Sequence, residues 1–272
     1  MARISSNEAK VTIDGAILKG CQSVSMDFDL EILDMPILIN KRNQDFVTDK
    51  GIIGDSTTGS LSVKYYANSE SYNPFGSATQ TIDAFIITSD VDVVFPNGSY
   101  KITGASLVSC NLEVSIGGFL NYTLGYEFDR LQSSNSTTVA GEDADPTVYN
   151  PAALPFVFYS DITPSGVFSG LCAQSISVTL NCPRKIIKKF GGGIVRQPDL
   201  PFKVEMEMSL NKNDYRELSS NQEVTADKIF SFNGGNLSYS WPESRAIGVS
   251  EGLEIDGAAT QNVKYEKILT DT

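Results

Sequence analysis

The side chains best suited to chemistry in this chain are carboxylates. Asp27, Asp29 and Glu31 alternate along one run, Glu113 and the Glu127/Asp129 pair stand on two more, and Glu205 and Glu207 on a fourth. Two carboxylates facing each other across a cleft can hydrolyse a glycosidic bond, one as acid and the other as base or nucleophile. The spacing here is the two-residue period that any acidic strand shows, so the pattern alone carries no enzyme. The chain has no histidine, which removes the commonest general base and the usual nucleophile–base triad. Cys21, Cys110, Cys172 and Cys182 form no Cys-x-x-Cys pair, so a zinc site is not expected. They read as buried or half-buried thiols of a reducing compartment. Arg184, Lys185, Lys188, Lys189 and Arg196 cluster around Gly191-Gly192-Gly193, but without the spacing of a phosphate-binding loop. Sequence alone therefore leads to no catalytic residue, no metal and no cofactor.

Charge and composition narrow the classes further. The formal net charge is −12 over 272 residues, and both halves of the chain are acidic. A general nucleic-acid binder needs a basic stripe to neutralise phosphates. Apolar residues make up 41 % of the chain, enough for a packed core, yet no run approaches the ~20 apolar residues of a membrane span. Met1–Lys10 is polar and mixed in charge, unlike a secretory signal.

The elements that position these side chains are strands. From Ser23 to Leu33, Val24, Met26, Phe28, Leu30 and Ile32 fall on one face and Ser25, Asp27, Asp29 and Glu31 on the other. Period two of this kind gives a strand with one dry and one wet face. It recurs at Leu61–Tyr65, Leu112–Ile116, Tyr122–Phe128, Ile176–Leu180 and Phe202–Leu210. Gly117-Gly118 predicts a hairpin turn. Helix is confined to short candidates at Asn213–Ser219 and near Ala78–Phe85. The spacing predicts an all-β, mainly antiparallel fold of sandwich or barrel type with one or two short helices. Pro146, Pro151, Pro155 and Pro164 set residues 136–166 apart as a linker between domains at 1–135 and 167–272.

Those two domains resemble each other. Cys21-Gln22-Ser23-Val24-Ser25-Met26 matches Ala173-Gln174-Ser175-Ile176-Ser177-Val178, each opening a long alternating strand. A long basic and glycine-containing loop follows in both, at Met35–Gly59 and Pro183–Pro201, and then a second alternating strand. Tyr100-Lys101-Ile102-Thr103-Gly104-Ala105-Ser106-Leu107 is matched with Phe230–Leu237. The order of these features predicts an internal duplication.

Together they resemble the tail-tube family of bacteriophages, shared with tubes of contractile injection systems. The resemblance rests on Val11–Gly15 with Cys21–Leu33, on the two long loops, and on Gly104-Ala105-Ser106-Leu107 through Ser115-Ile116-Gly117 to Asp129. It implies a virion structural protein, assembled in the host cytoplasm into tail rings that stack as a conduit for DNA during ejection. Its partners would be further copies of itself, in a trimeric pseudo-hexameric or hexameric ring, and tail terminator, baseplate or sheath proteins. DNA would pass without specific binding, and no membrane would be involved. Asp27, Asp29, Glu31, Glu113, Glu127, Asp129, Glu205 and Glu207 are then expected to face the lumen and repel phosphate. Lys41, Arg42, Lys50, Arg184, Lys185, Lys188, Lys189 and Arg196 are expected on loops that contact the next ring. The rival readings are a tail hub or terminator ring of the same fold, and a β-sandwich adhesin or carbohydrate-binding module, for which Trp241-Pro242 is the one aromatic hint.

Overall fold

The computed structural model describes residues 10–18, 20–33, 52–68, 72–75, 81–86, 88–95, 98–129, 131–134, 156–166, 168–188, 194–211, 228–252 and 260–269. The fold is all-β and antiparallel. The first half carries β1 (Lys10–Ile13), β2 (Ala16–Ile17), β3 (Cys21–Leu33), β4 (Ile52–Tyr66), β5 (Thr88–Phe95), β6 (Gly98–Ser115), β7 (Asn121–Phe128) and β8 (Leu131–Ser134). A five-residue helix, α1 (Ile82–Ile86), overlaps the weaker helical candidate, while Asn213–Ser219 lies outside the described residues. The second half carries β9 (Ile162–Gly166), β10 (Ala173–Asn181), β11 (Arg184–Lys188), β12 (Ile194–Pro198), β13 (Lys203–Asn211), β14 (Lys228–Gly234), β15 (Leu237–Gly252) and β16 (Thr260–Ile268). Strict alternation of burial along β7 and β13 is the physical signature of the period-two pattern. The turn after β6 is closed by Gly118 N–H on Ser115 O at 2.9 Å, with Gly117 at a φ of 77° that a side chain would resist.

The halves share one pairing scheme. In the first, β3 pairs β4, β4 pairs β7, and β7 pairs the C-terminal part of β6. The N-terminal part of β6 turns away to pair β5, which pairs β1. In the second, β10 pairs β13, β13 pairs β16, and β16 pairs the C-terminal part of β15. The N-terminal part of β15 pairs β14, which pairs β9.

Their irregularities coincide as well. Gln22 in β3 and Gln174 in β10 are each an extra residue opposite a partner strand. Val108 in β6 and Ile247 in β15 are each extra against β7 and β16. Thr103-Gly104 and Pro242-Glu243 each stand two against one, with Gly104 at φ 71° and Glu243 at φ 58°. Bulges bend and twist a strand, and the last two are where β6 and β15 leave one sheet for the other. Alternation is common to all sheets, but bulges in the same places are not.

This register corrects one sequence match. Gly98 aligns with Leu237 and Tyr100 with Tyr239, not with Phe230, because both strands are fixed by the same bulges. Gly234, the glycine matched to Gly104, ends β14 at the β14–β15 turn, whereas Gly104 opens a bulge. Two glycines meeting different backbone demands made the two segments look alike.

The described end of the 136–166 segment packs across the first half. Leu120 N–H reaches Val157 O at 2.8 Å and Val157 N–H reaches Ala67 O at 3.2 Å. Residues 162–166 then form β9 and belong by pairing with the second half. Pro164 is tolerated because β9 is an edge strand.

The pairings run together as β3-β4-β7-β6-β10-β13-β16-β15, one continuous inner sheet. The halves join where the C-terminal part of β6 pairs β10, from Ser115↔Ser175 to Ser109↔Asn181. The outer layer of the second half lies over this sheet and crosses the joint. Phe168 and Phe230 meet Tyr265 at 5.6 and 5.8 Å between ring centroids, Trp241 meets Phe75 at 5.5 Å, and the Tyr239 hydroxyl lies 2.8 Å from that of Tyr122. One apolar core fills the space between the layers. Among the described residues no helix is long and apolar enough to cross a membrane.

Candidate functional site

The other face of the inner sheet is polar. Ser25 and Asp27 of β3, Ser60, Ser62 and Lys64 of β4, Thr123 and Glu127 of β7, Asn111 and Glu113 of β6, Ser177 and Thr179 of β10, Glu205 and Glu207 of β13, and Asn262 and Lys264 of β16 share it by register. Small hydroxyl and amide side chains outnumber charges here. Thr179 Oγ1 donates to Asn111 Oδ1 at 3.1 Å across the joint.

The carboxylates are largely balanced by cations. Lys64 Nζ stands 3.1 Å from Glu113, Lys264 Nζ 3.4 Å from Glu207, and Arg245 holds Glu266. Asp27 and Glu205 are exposed. Asp29 and Glu31 continue β3 by backbone, but their side chains lie outside the described residues. The face is thus mixed and hydroxyl-rich, with Glu113 and Glu207 paired to lysines and Asp27 and Glu205 exposed.

Two of the expected ring-contact cations, Arg184 and Arg196, make contacts within the chain. The β11–β12 hairpin folds back onto the first half. Arg196, its side chain 5 % exposed, donates through Nε and Nη2 to Asp129 Oδ1 at 2.9 and 2.7 Å, and through Nη1 to the Glu127 carboxylate. Arg184 donates to the carbonyls of Phe85 and Leu107 and lies over the Phe202 ring at 5.5 Å. The Val108 bulge explains the anchor: a bulge leaves ladder groups open, and Val108 O takes Cys182 N–H at 2.8 Å beside the carbonyl that takes Arg184. Glu127 and Asp129 are therefore held by Arg196. Lys185 is exposed on the hairpin beside Ile186 and Ile187. Lys188 lies in β11 with its side chain outside the described residues, as do Lys41, Arg42, Lys50 and Lys189 entirely.

What sequence reasoning missed is the pair of free edges. Among the described residues β3 pairs only β4, and the C-terminal part of β15 pairs only β16. These are the positional equivalents of β10 and of the C-terminal part of β6, the strands that join the halves. Their apolar side chains are correspondingly less covered. Cys110 at the joint is 0 % exposed, whereas its equivalent Val249 is 38 % exposed. Ile176 and Val178 are buried, whereas Val24 and Met26 are half-buried. An open edge with half-covered apolar side chains invites another strand.

Burial withdraws three of the four thiols from easy reaction. All four cysteines are free. Burial pushes the Cys21 thiol up to about 11 and the Cys182 thiol up to about 12, and raises Cys110 well above its ordinary value. The thiolate is the reactive form, so in dispersed native chain Ellman's reagent should titrate one fast thiol, the exposed Cys172. The other three should react only after unfolding. Peptide mapping that found Cys21 or Cys182 labelled as fast as Cys172 would contradict this. Among the described residues no cluster of three or more His, Cys, Asp or Glu is placed to hold a metal. No protein-family model matches the chain, and no curated protein matches it.

Proposed function

We propose that this chain is a ring-forming structural subunit of a hollow tube of the bacteriophage tail-tube kind, through which DNA passes without being bound. The observation that carries the reading is the joint between its halves. β6 pairs β10 antiparallel, and among the described residues the equivalent partners, β15 and β3, are left open at the two ends of the same sheet. A heterologous contact of this type generates a closed ring when its rotation closes. Repeating the internal joint between chains sets Ser250 of one copy opposite Asp27 of the next, as Asn111 stands opposite Thr179 within the chain. Three chains would then present six near-equivalent units, the stoichiometry implied by the tandem arrangement.

The polar face becomes the lumen in such a ring. Lys64 and Lys264 already have carboxylate partners, so they offer phosphate little counterion-release gain. Hydroxyl and amide side chains fill the intervening positions and carry no charge for DNA to bind. This supports passage by neutral contact more than by acidic repulsion.

The test is a cysteine pair. Oxidised Asp27→Cys/Ser250→Cys protein should run as a ladder of chains ending at one closed species, and neither single variant should do so. A double variant that stays monomeric under oxidation, with the chain folded, would sink the ring. Negative-stain microscopy separates the alternatives: long tubes favour the tube, isolated rings a hub or terminator, and monomers an adhesin-like module.

A further inference from the structure

We infer that the outer layer also crosses between chains, with Tyr100 of one copy donating its hydroxyl hydrogen to Gln261 Oε1 of the next. This rests on the ring reading above and adds a second, separate layer of contact to it.

Within the chain, the second-half outer layer reaches over the joint and places Tyr239 on Tyr122 of the first half. Tyr122 donates its own hydrogen to Asn73 Oδ1 at 2.6 Å, so at the 2.8 Å contact Tyr239 is the donor and Tyr122 the acceptor. The shared bulges make Tyr100 the equivalent of Tyr239 and Gln261 the equivalent of Tyr122. If chains join as the halves do, Tyr100 of one chain is carried over Gln261 of its neighbour.

The Gln261 end of that contact is incomplete in the single chain. Tyr239 is fully buried, whereas Tyr100 is half-buried. Gln261 is 4 % exposed, and its Oε1 is buried with no hydrogen-bond partner. A buried polar atom without a partner is rare and calls for an explanation. An acceptor stands at the position where the internal joint has its acceptor, and a hydroxyl donor at the position where the joint has its donor. The partner copy supplies what the amide lacks.

A photo-crosslinking residue at Tyr100 tests this. Tyr100→p-benzoylphenylalanine protein, mixed with isotope-labelled chain that carries the native Tyr100, is assembled and irradiated. The expected product joins position 100 of one chain to the segment around Gln261 in the labelled chain. Products confined to a single chain, while the Asp27/Ser250 disulfide ladder still forms, overturn this inference and leave the ring standing. Loss of the ladder itself overturns the ring reading instead. As a quantitative check, Tyr100→Phe keeps the ring but removes the donor, and should raise the protein concentration needed for assembly by about fivefold. Gln261→Leu, which removes the unsatisfied acceptor, should recover part of that loss in the Tyr100→Phe background. An unchanged assembly concentration for Tyr100→Phe also counts against the contact.

Discussion

Val249→Asp should abolish assembly while leaving the chain folded. In the single chain Val249 is 38 % exposed on an open edge, where substitutions usually change stability by no more than about 0.5 kcal/mol. In a joined ring it takes the place that Cys110 holds between the halves, and Cys110 is 0 % exposed. A carboxylate there would be buried without a partner, which costs about 3–5 kcal/mol at each joint. A ring repeats that cost at every interface, so the loss is cooperative. Sedimentation velocity should find monomer at concentrations where the unaltered chain assembles, with an unchanged thermal midpoint. Rings formed by Val249→Asp at ordinary concentrations would rule out the β15–β3 joint.

Arg196→Ala should free the β11–β12 hairpin and destabilise the fold. The guanidinium meets two carboxylates at the end of β7, and its own side chain is 5 % exposed. Glu127 and Asp129 keep contact with water, so they can be solvated again when the arginine is removed, and the full cost of a stranded buried charge does not apply. Hydrogen bonds to charged groups contribute about 1.5–3 kcal/mol, and solvent screening at the carboxylates brings the expected loss to about 2 kcal/mol. Arg196→Lys should recover only part of it, because an ammonium cannot reproduce the planar fork. Amide exchange should speed up across residues 184–198 more than across β10 or β13. Unchanged exchange there would mean that Arg184 and strand pairing alone hold the hairpin. The exposed Lys185 is the control, and Lys185→Ala should leave both stability and exchange as they are.

The assignment of Arg196 shows why some of the candidate site could be read from sequence and some could not. Its type and its place beside a glycine-rich turn were visible, and they marked a charged loop. Its partner was not visible, because Glu127 and Asp129 lie far away along the chain and only the folding back of the hairpin brings them near. The same holds for the polar face. Alternation placed Asp27, Glu113, Glu205 and Glu207 on a wet surface, since a period of two fixes which side of a strand a residue takes. It did not place Lys64 beside Glu113 or Lys264 beside Glu207. Those neighbours depend on strand order and register, so the cations that pair with Glu113 and Glu207 could not be read along the sequence.

The likeness of the two halves in strand pairing was legible in part for the same reason. The Gln-Ser match at the head of β3 and β10 coincides with a shared irregularity, since Gln22 and Gln174 are each the extra residue there. The match of Tyr100–Leu107 to Phe230–Leu237 was misaligned because glycine serves turns and bulges alike.

What sequence determined by itself is the all-β character, the period that sorts each strand into a dry and a wet face, and the presence of two similar halves. These follow from short-range rules, in which a residue's own type and its near neighbours settle its conformation. Tertiary structure alone decided that β6 pairs β10, that among the described residues β3 and the end of β15 remain open, and that the outer layer bridges the joint. Those are pairings between distant segments, chosen by which edges can bury apolar side chains and satisfy backbone groups together, and no local pattern encodes that choice.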